Sequence, residues 1–211
     1  MKRFLCSEDL SLKWVDWPVY SEFDADPEQF AIGVSAINGG VGSNQRVGNR
    51  VAWRRAQFRG MVQATLSNTL SCRADLGRIL LIYDRSSNGE APAHTVLLST
   101  TWDLTENCSN YSFANVVNDS RFLILVDRTV VLPPLSALGN NPVVTEGLFC
   151  SQDNFVIEFD IDLDRLEAIF QDSAAHSCNT GKLRLLTLCE GGGYNTPWSL
   201  VGQLRVFFED L

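Results

Sequence analysis

Five arginines, Arg46, Arg50, Arg54, Arg55 and Arg59, fall within fourteen residues that contain no acid, on a chain whose formal net charge is -8. Guanidinium forks match phosphate oxygens, so this stretch has the chemistry of a nucleic-acid contact. Pairing with acids at subunit contacts, or a solvated strand face, is an equally open use of the same residues. A second cluster is acidic. Asp160, Asp162 and Asp164 alternate in Phe-Asp-Ile-Asp-Leu-Asp, so on an extended strand they project from one face. Such a row, completed by a neighbouring subunit's oxygens, could hold Ca²⁺, although it lacks the glycine turn of an EF-hand loop and more often forms a solvated face.

Other reactive residues are poorly placed for catalysis. The two histidines are His94 and His176. His176 lies near Asp172, Ser173, Ser177 and Cys178, but sequence neighbours do not make a triad, and no Gly-x-Ser-x-Gly elbow is present. The six cysteines (Cys6, Cys72, Cys108, Cys150, Cys178, Cys189) are scattered without a Cys-x-x-Cys pair, which disfavours zinc and fits reduced, buried thiols. Gly39-Gly40-Val41-Gly42 lacks the lysine and following helix of a phosphate cradle. Three sequons, at Asn107, Asn110 and Asn118, read as a polar surface loop. Neither an enzyme nor a cofactor beyond the calcium alternative is expected.

The elements that must position these residues are strands. Val51 to Leu66 alternates best: Ala52, Ala56, Phe58, Val62 and Ala64 share one face and Arg55, Gln57, Arg59 and Gln63 the other, with Arg54 interrupting the apolar side. Leu12 to Tyr20, Phe30 to Ile37, Ile79 to Asp84, Phe122 to Leu132, Phe155 to Leu163, Leu183 to Leu188 and Gln203 to Phe208 complete eight strands. Pro18 places the first at an edge or bend. The runs around Ile79 and Phe122 are apolar enough for the middle of a packed sheet, and Asn88-Gly89 supplies a turn. Short helices are expected at Ala93 to Leu98 and Leu163 to Phe170. Aromatic groups near the two ends, Trp14, Trp17, Tyr20 and Phe23 against Trp198, Phe207 and Phe208, would pack together if the first and last strands are neighbours.

With 45% hydrophobic and 20% charged residues, the chain reads as one globular domain over residues 1–211, with 1–12 a possible N-terminal extension. Its apolar runs are far short of the roughly 20 residues of a membrane span. Acids at Glu8 and Asp9 interrupt any signal peptide, so a non-secreted protein is expected.

One ordered set of segments has a counterpart elsewhere. Arg46-Val47-Gly48-Asn49-Arg50 leads into a strand; Tyr83-Asp84-Arg85 ends another and is followed by Asn88-Gly89-Glu90-Ala91-Pro92; Arg121-Phe122 opens a third that carries Asp127-Arg128. This order resembles the single jelly-roll capsid proteins of small circular single-stranded DNA viruses, the geminivirus and circovirus-like family. The resemblance spans roughly residues 14 to 210, with motif-level similarity from Arg46 to Leu132.

It implies an all-β, eight-stranded antiparallel jelly-roll sandwich with long loops and short helical insertions. By the same resemblance, the chain self-assembles into an icosahedral shell around a single-stranded DNA genome, and belongs to the virion and to the host nucleus or cytoplasm during assembly. The arginine cluster would then face phosphate inside the shell. The family's arginine-rich N-terminal arm has no counterpart among the first residues, Met-Lys-Arg-Phe-Leu-Cys-Ser-Glu-Asp. The other reading is a non-viral β-sandwich binding module, carbohydrate-binding or cupin-like, acting as a monomer.

Overall fold

The computed structural model describes residues 12–23, 32–64, 75–86, 97, 114, 116–132, 155–172, 175, 178–189 and 198–211. Strands β1 (Lys13–Glu22), β2 (Ile32–Gly33), β3 (Arg50–Ala64), β4 (Asp75–Asp84), β5 (Phe122–Leu132), β6 (Phe155–Phe170), β7 (Cys178–Thr180), β8 (Lys182–Cys189) and β9 (Trp198–Asp210) follow in chain order. They form a five-stranded sheet, β1-β9-β3-β6-β7, and a four-stranded sheet, β2-β8-β4-β5, with every strand pair antiparallel. Apart from the short β7, β1 pairs with β9, β2 with β8, β3 with β6 and β4 with β5. That nesting is one long antiparallel hairpin wound on itself, which is the jelly roll. The all-β sandwich expected from the sequence is observed, with β7 as a ninth segment. Among the described residues no helix is long and apolar enough to cross a membrane.

The core lies between the sheets. Trp53, Phe58, Phe159, Leu204 and Phe208 from one side meet Ile79, Leu81, Leu183 and Leu185 from the other. Trp53 stands edge-on to Phe208 at 6.3 Å and donates its indole N–H to the Gly181 carbonyl at 2.9 Å. Gly181 has φ +75, and a Cβ there would lie 2.0 Å from the Glu167 carbonyl oxygen, so only glycine suits this turn between β7 and β8. The four-stranded sheet is buried on its outer side as well, where Leu80, Ile82, Leu186 and Leu188 pack with Leu97 and Phe122. Only the five-stranded sheet presents a broad polar face among the described residues.

Several expectations change. Leu163 to Phe170 is not a helix but the second half of β6. Asp164 and Arg165 have φ 45 and 61, and the pairing with β3 slips there, so that Arg54 alone lies opposite Leu163, Asp164 and Arg165. The irregularity changes the buried spacing from two residues to three, which mimics a helical period. It also reverses the parity of β3: Val51 and Trp53 face the core with Ala56 and Phe58, whereas Ala52 points the other way. Phe122 to Leu132 forms an edge rather than a central strand, with Val131 exposed. Of Phe30 to Ile37, Ile32–Gly33 pairs as a strand. Pro18 sits on the edge strand β1, as its missing N–H requires. Cys178 and Cys189 are buried free thiols, and burial raises the Cys178 pKa. The other four cysteines, both histidines, Asn107, Asn110, Asn88-Gly89 and residues 1–11 lie outside the described residues.

Candidate functional site: the charged face of the five-stranded sheet

Residues paired across neighbouring strands share a face, so the register sets them in rows. Trp14, Phe207, Arg55 and Asp162 form one row, and Asp16, Arg205, Gln57 and Asp160 the next. Pro18, Gln203, Arg59 and Glu158 form the third row, and Tyr20, Val201, Met61 and Val156 the fourth. Strand alternation sends the intervening residues into the core.

Cations on this face stand beside acids. Arg55 forks Asp160 with Nε–Oδ1 at 2.6 Å, and Gln57 donates to the same carboxylate at 2.9 Å. Arg205 forks Asp16 at 2.6 and 2.7 Å. Arg50 meets Glu167 at 2.7 Å, Arg54 meets Glu209 at 3.7 Å and Arg59 meets Glu158 at 3.6 Å. Beside the first row lies a shallow depression of about 550 Å³ lined by Trp14, Arg54, Arg55, Gln57, Asp162 and Phe207.

Four of the five clustered arginines thus come together here, and Arg46 does not. Its residue is fully buried, with the guanidinium 3.9 Å over the Phe170 ring. Nη2 donates to the carbonyls of Asp172 at 2.7 Å and Ala175 at 2.5 Å, and Nη1 to that of Gly48. Burial pulls its pKa down. Arg46 clamps the loop before β3 onto the segment after β6.

Of the three aspartates, Asp160 and Asp162 share the outer face and Asp164 sits at the bulge. Asp162 Oδ1 accepts the Asp164 N–H at 2.9 Å, closing that irregularity locally. Among the described residues no three His, Cys, Asp or Glu side chains converge as a metal site would require.

The Asp-Arg segments occupy the other sheet. Asp84 is fully buried; it accepts the Ser86 N–H at 2.9 Å and Arg121 Nε at 3.2 Å. Arg85 Nη1 donates to the carbonyls of Asp119 and Ser120, both at 3.1 Å. Asp127 receives a fork from Arg78 at 2.8 and 2.6 Å. Each aspartate of the two segments therefore ties β4 to β5 or to the residues entering it.

Sequence reasoning missed the Asp16–Arg205 fork and the apolar fourth row. Both depend on cross-strand register, although the alternation of Gln203, Arg205 and Phe207 marks the outer side of β9.

Two predictions arise here. Replacing Arg54, Arg55 and Arg59 together with Gln is expected to leave the salt dependence of nucleic-acid binding within about one unit of log-log slope, because neighbouring carboxylates already offset these charges. A drop of about three units would show that all three touch phosphate. The second concerns acid. Hydrogen bonds from Arg55 hold Asp160 below the ordinary carboxylate value, and Arg205 does the same for Asp16. A carboxyl with a depressed folded pKa contributes stability above its unfolded value of about 4 and loses it as pH falls through the folded one. Both pairs are partly exposed, so each contributes under about 1 kcal/mol. Urea midpoints of the unmodified chain and an Asp16→Asn, Asp160→Asn double variant should differ at pH 6, and the gap should narrow as pH falls below about 4. A gap that persists unchanged at pH 2 would remove the two forks from the account.

No protein-family model and no curated protein matches the chain. Among solved structures, one titled Desmodium yellow mottle tymovirus aligns over 99% of this chain and 95% of its own, at 10% identity and TM-score 0.28. Infectious bursal disease virus structures align at 13% identity: the Gt strain over 96% of this chain with TM-score 0.30, and the Gx strain over 95% with TM-score 0.28. The chain spans only 33% and 36% of those two chains. These superpositions are loose, and the jelly-roll assignment rests on strand order instead.

Proposed function

We propose that the protein is a capsid subunit that self-assembles into an icosahedral shell around a small single-stranded DNA genome. The observation that carries the reading is the Asp84–Arg121 clamp. It joins the Tyr-Asp-Arg segment ending β4 to the Arg-Phe segment opening β5, so two of the three resemblance motifs form one structural unit within a jelly roll. The third leads into β3. The work is assembly rather than turnover, and no cofactor is needed. Closed symmetric assembly repeats the same surface patches on every copy. The partners are further copies and the genome; the location is the virion, with assembly in the host nucleus or cytoplasm.

Negative-stain microscopy with light scattering on the full chain tests this, with megadalton hollow particles expected. A protein that stays monomeric across salt and pH would count against it. Nuclease sensitivity of copurifying nucleic acid tests the genome class: degradation by a single-strand-specific DNase is expected, and resistance to DNase with loss to RNase would reject DNA. The depression beside Trp14 favours a second reading, a monomeric carbohydrate-binding module, since an exposed indole beside amide and carboxylate groups suits a sugar ring. Saturable glycan binding by a monomer, abolished in Trp14→Ala, would favour it.

A further inference from the structure

β3 and β6 lie side by side on the wetted face, and their outward side chains differ in kind. From β3 project Arg55, Gln57, Arg59 and Met61. Opposite them, residue for residue, β6 presents Asp162, Asp160, Glu158 and Val156. Three hydrogen-bond donors face three acids, and one apolar side chain faces another.

A twofold axis parallel to these strands and midway between them would lay β3 of one copy over β6 of the other, keeping each row on its own row. Each arginine or glutamine would then meet an acid of the partner, and Met61 would meet Val156, in both directions. We infer that this face is a twofold contact between two copies of the chain.

Exposure supports it. Val156 is 73% exposed, Tyr20 56% and Met61 40%, an apolar row of the kind that marks interaction surfaces. Arg59 and Glu158 have side chains 84% and 59% exposed at 3.6 Å separation, a loose pair that can exchange partners at little cost. Charge points to a second copy as the occupant. A chain of net charge -8 repels itself over most of its surface. Here Arg55, Arg59 and Arg205 stand against Asp16, Glu158, Asp160 and Asp162, so copies meet where that repulsion is weak. A polyanion would find the arginines neutralised. Packed sheets cross at about 30°, so the matching applies to the central rows.

The inference deepens the shell reading by naming one of its contacts, but a dimer stands without a shell. The test uses charge reversals that complement only between copies. Arg59→Glu alone places acids on both strands at that row, and Glu158→Arg alone places arginines on both. By sedimentation velocity, each variant is expected to associate at least about tenfold more weakly than the unmodified chain, and a 1:1 mixture to recover association. Unchanged circular dichroism in both variants separates this from unfolding. Variants that associate like the unmodified chain, a mixture that does not recover, or an unmodified chain that stays monomeric would each overturn the inference. Dimers without particles would keep the contact and reject the shell. Particles unaffected by either reversal would keep the shell and reject the contact.

Discussion

Asp84→Ala is expected to lower the unfolding free energy by about 3 kcal/mol, because removing one partner of a buried charge pair leaves the other uncompensated. Asp84 has no solvent-exposed side-chain surface, whereas Arg121 retains 31%, which holds the estimate at the lower end of such losses. The carboxylate has further roles. It accepts the Ser86 N–H, and its charge opposes the downward shift that burial imposes on the Arg184 guanidinium. Asp84→Asn keeps an acceptor for Ser86 but loses the charge, so it should fall between the parent and Asp84→Ala. Urea denaturation at neutral pH measures both. A loss below about 0.5 kcal/mol in Asp84→Ala would place it in the range of ordinary surface substitutions and remove the clamp as a structural unit.

Arg46→Gln is expected to cost about 3 kcal/mol, since hydrogen bonds from a charged group contribute about 1.5 to 3 kcal/mol and glutamine cannot reach all of the acceptors. The carbonyls at stake are those of Gly48, Asp172 and Ala175, and the stacking on Phe170 is lost as well. Arg46→Lys keeps the charge but not the planar fork, so it should recover only part of the difference. Chemical denaturation of both variants, alongside nucleic-acid copurification, separates the two uses of this residue. A variant as stable as the parent but depleted of nucleic acid would return Arg46 to the phosphate cluster.

Arg46 shows what a sequence withholds. In the chain it is one of five similar arginines, and nothing local distinguishes the buried one from the four on a wet face. Its neighbours in space, Phe170, Asp172 and Ala175, come from more than 120 residues away in sequence. The strands themselves were legible because their period of two is a local property. Phe122–Leu132 has the expected ends, and Pro18 correctly marked an edge. Misreadings cluster where periodicity breaks. At the bulge that sets Arg54 against Asp164 and Arg165, the extra residues imitated a helix in β6 and sent Ala52 to the wrong face in β3. The edge position of β5 was hidden for another reason: its apolar composition resembles that of β4, and only pairing separates an edge from a centre. In the candidate site, the alternation of arginines and aspartates along each strand was visible. Their meeting as ladders was not, because register belongs to two strands at once.

The position of β9 bears on how the molecule is made. It lies between β1 and β3, so among the described strands β1 acquires its partner only after residues 198–210 have left the ribosome. Until then β1 waits with an open edge, and β3 lacks one of its two neighbours. Closing so long a loop is a late step in folding, and an unfinished edge invites the wrong partner. The five-stranded face therefore cannot form before β9 is made, and any assembly that uses it must wait for the strand that completes it.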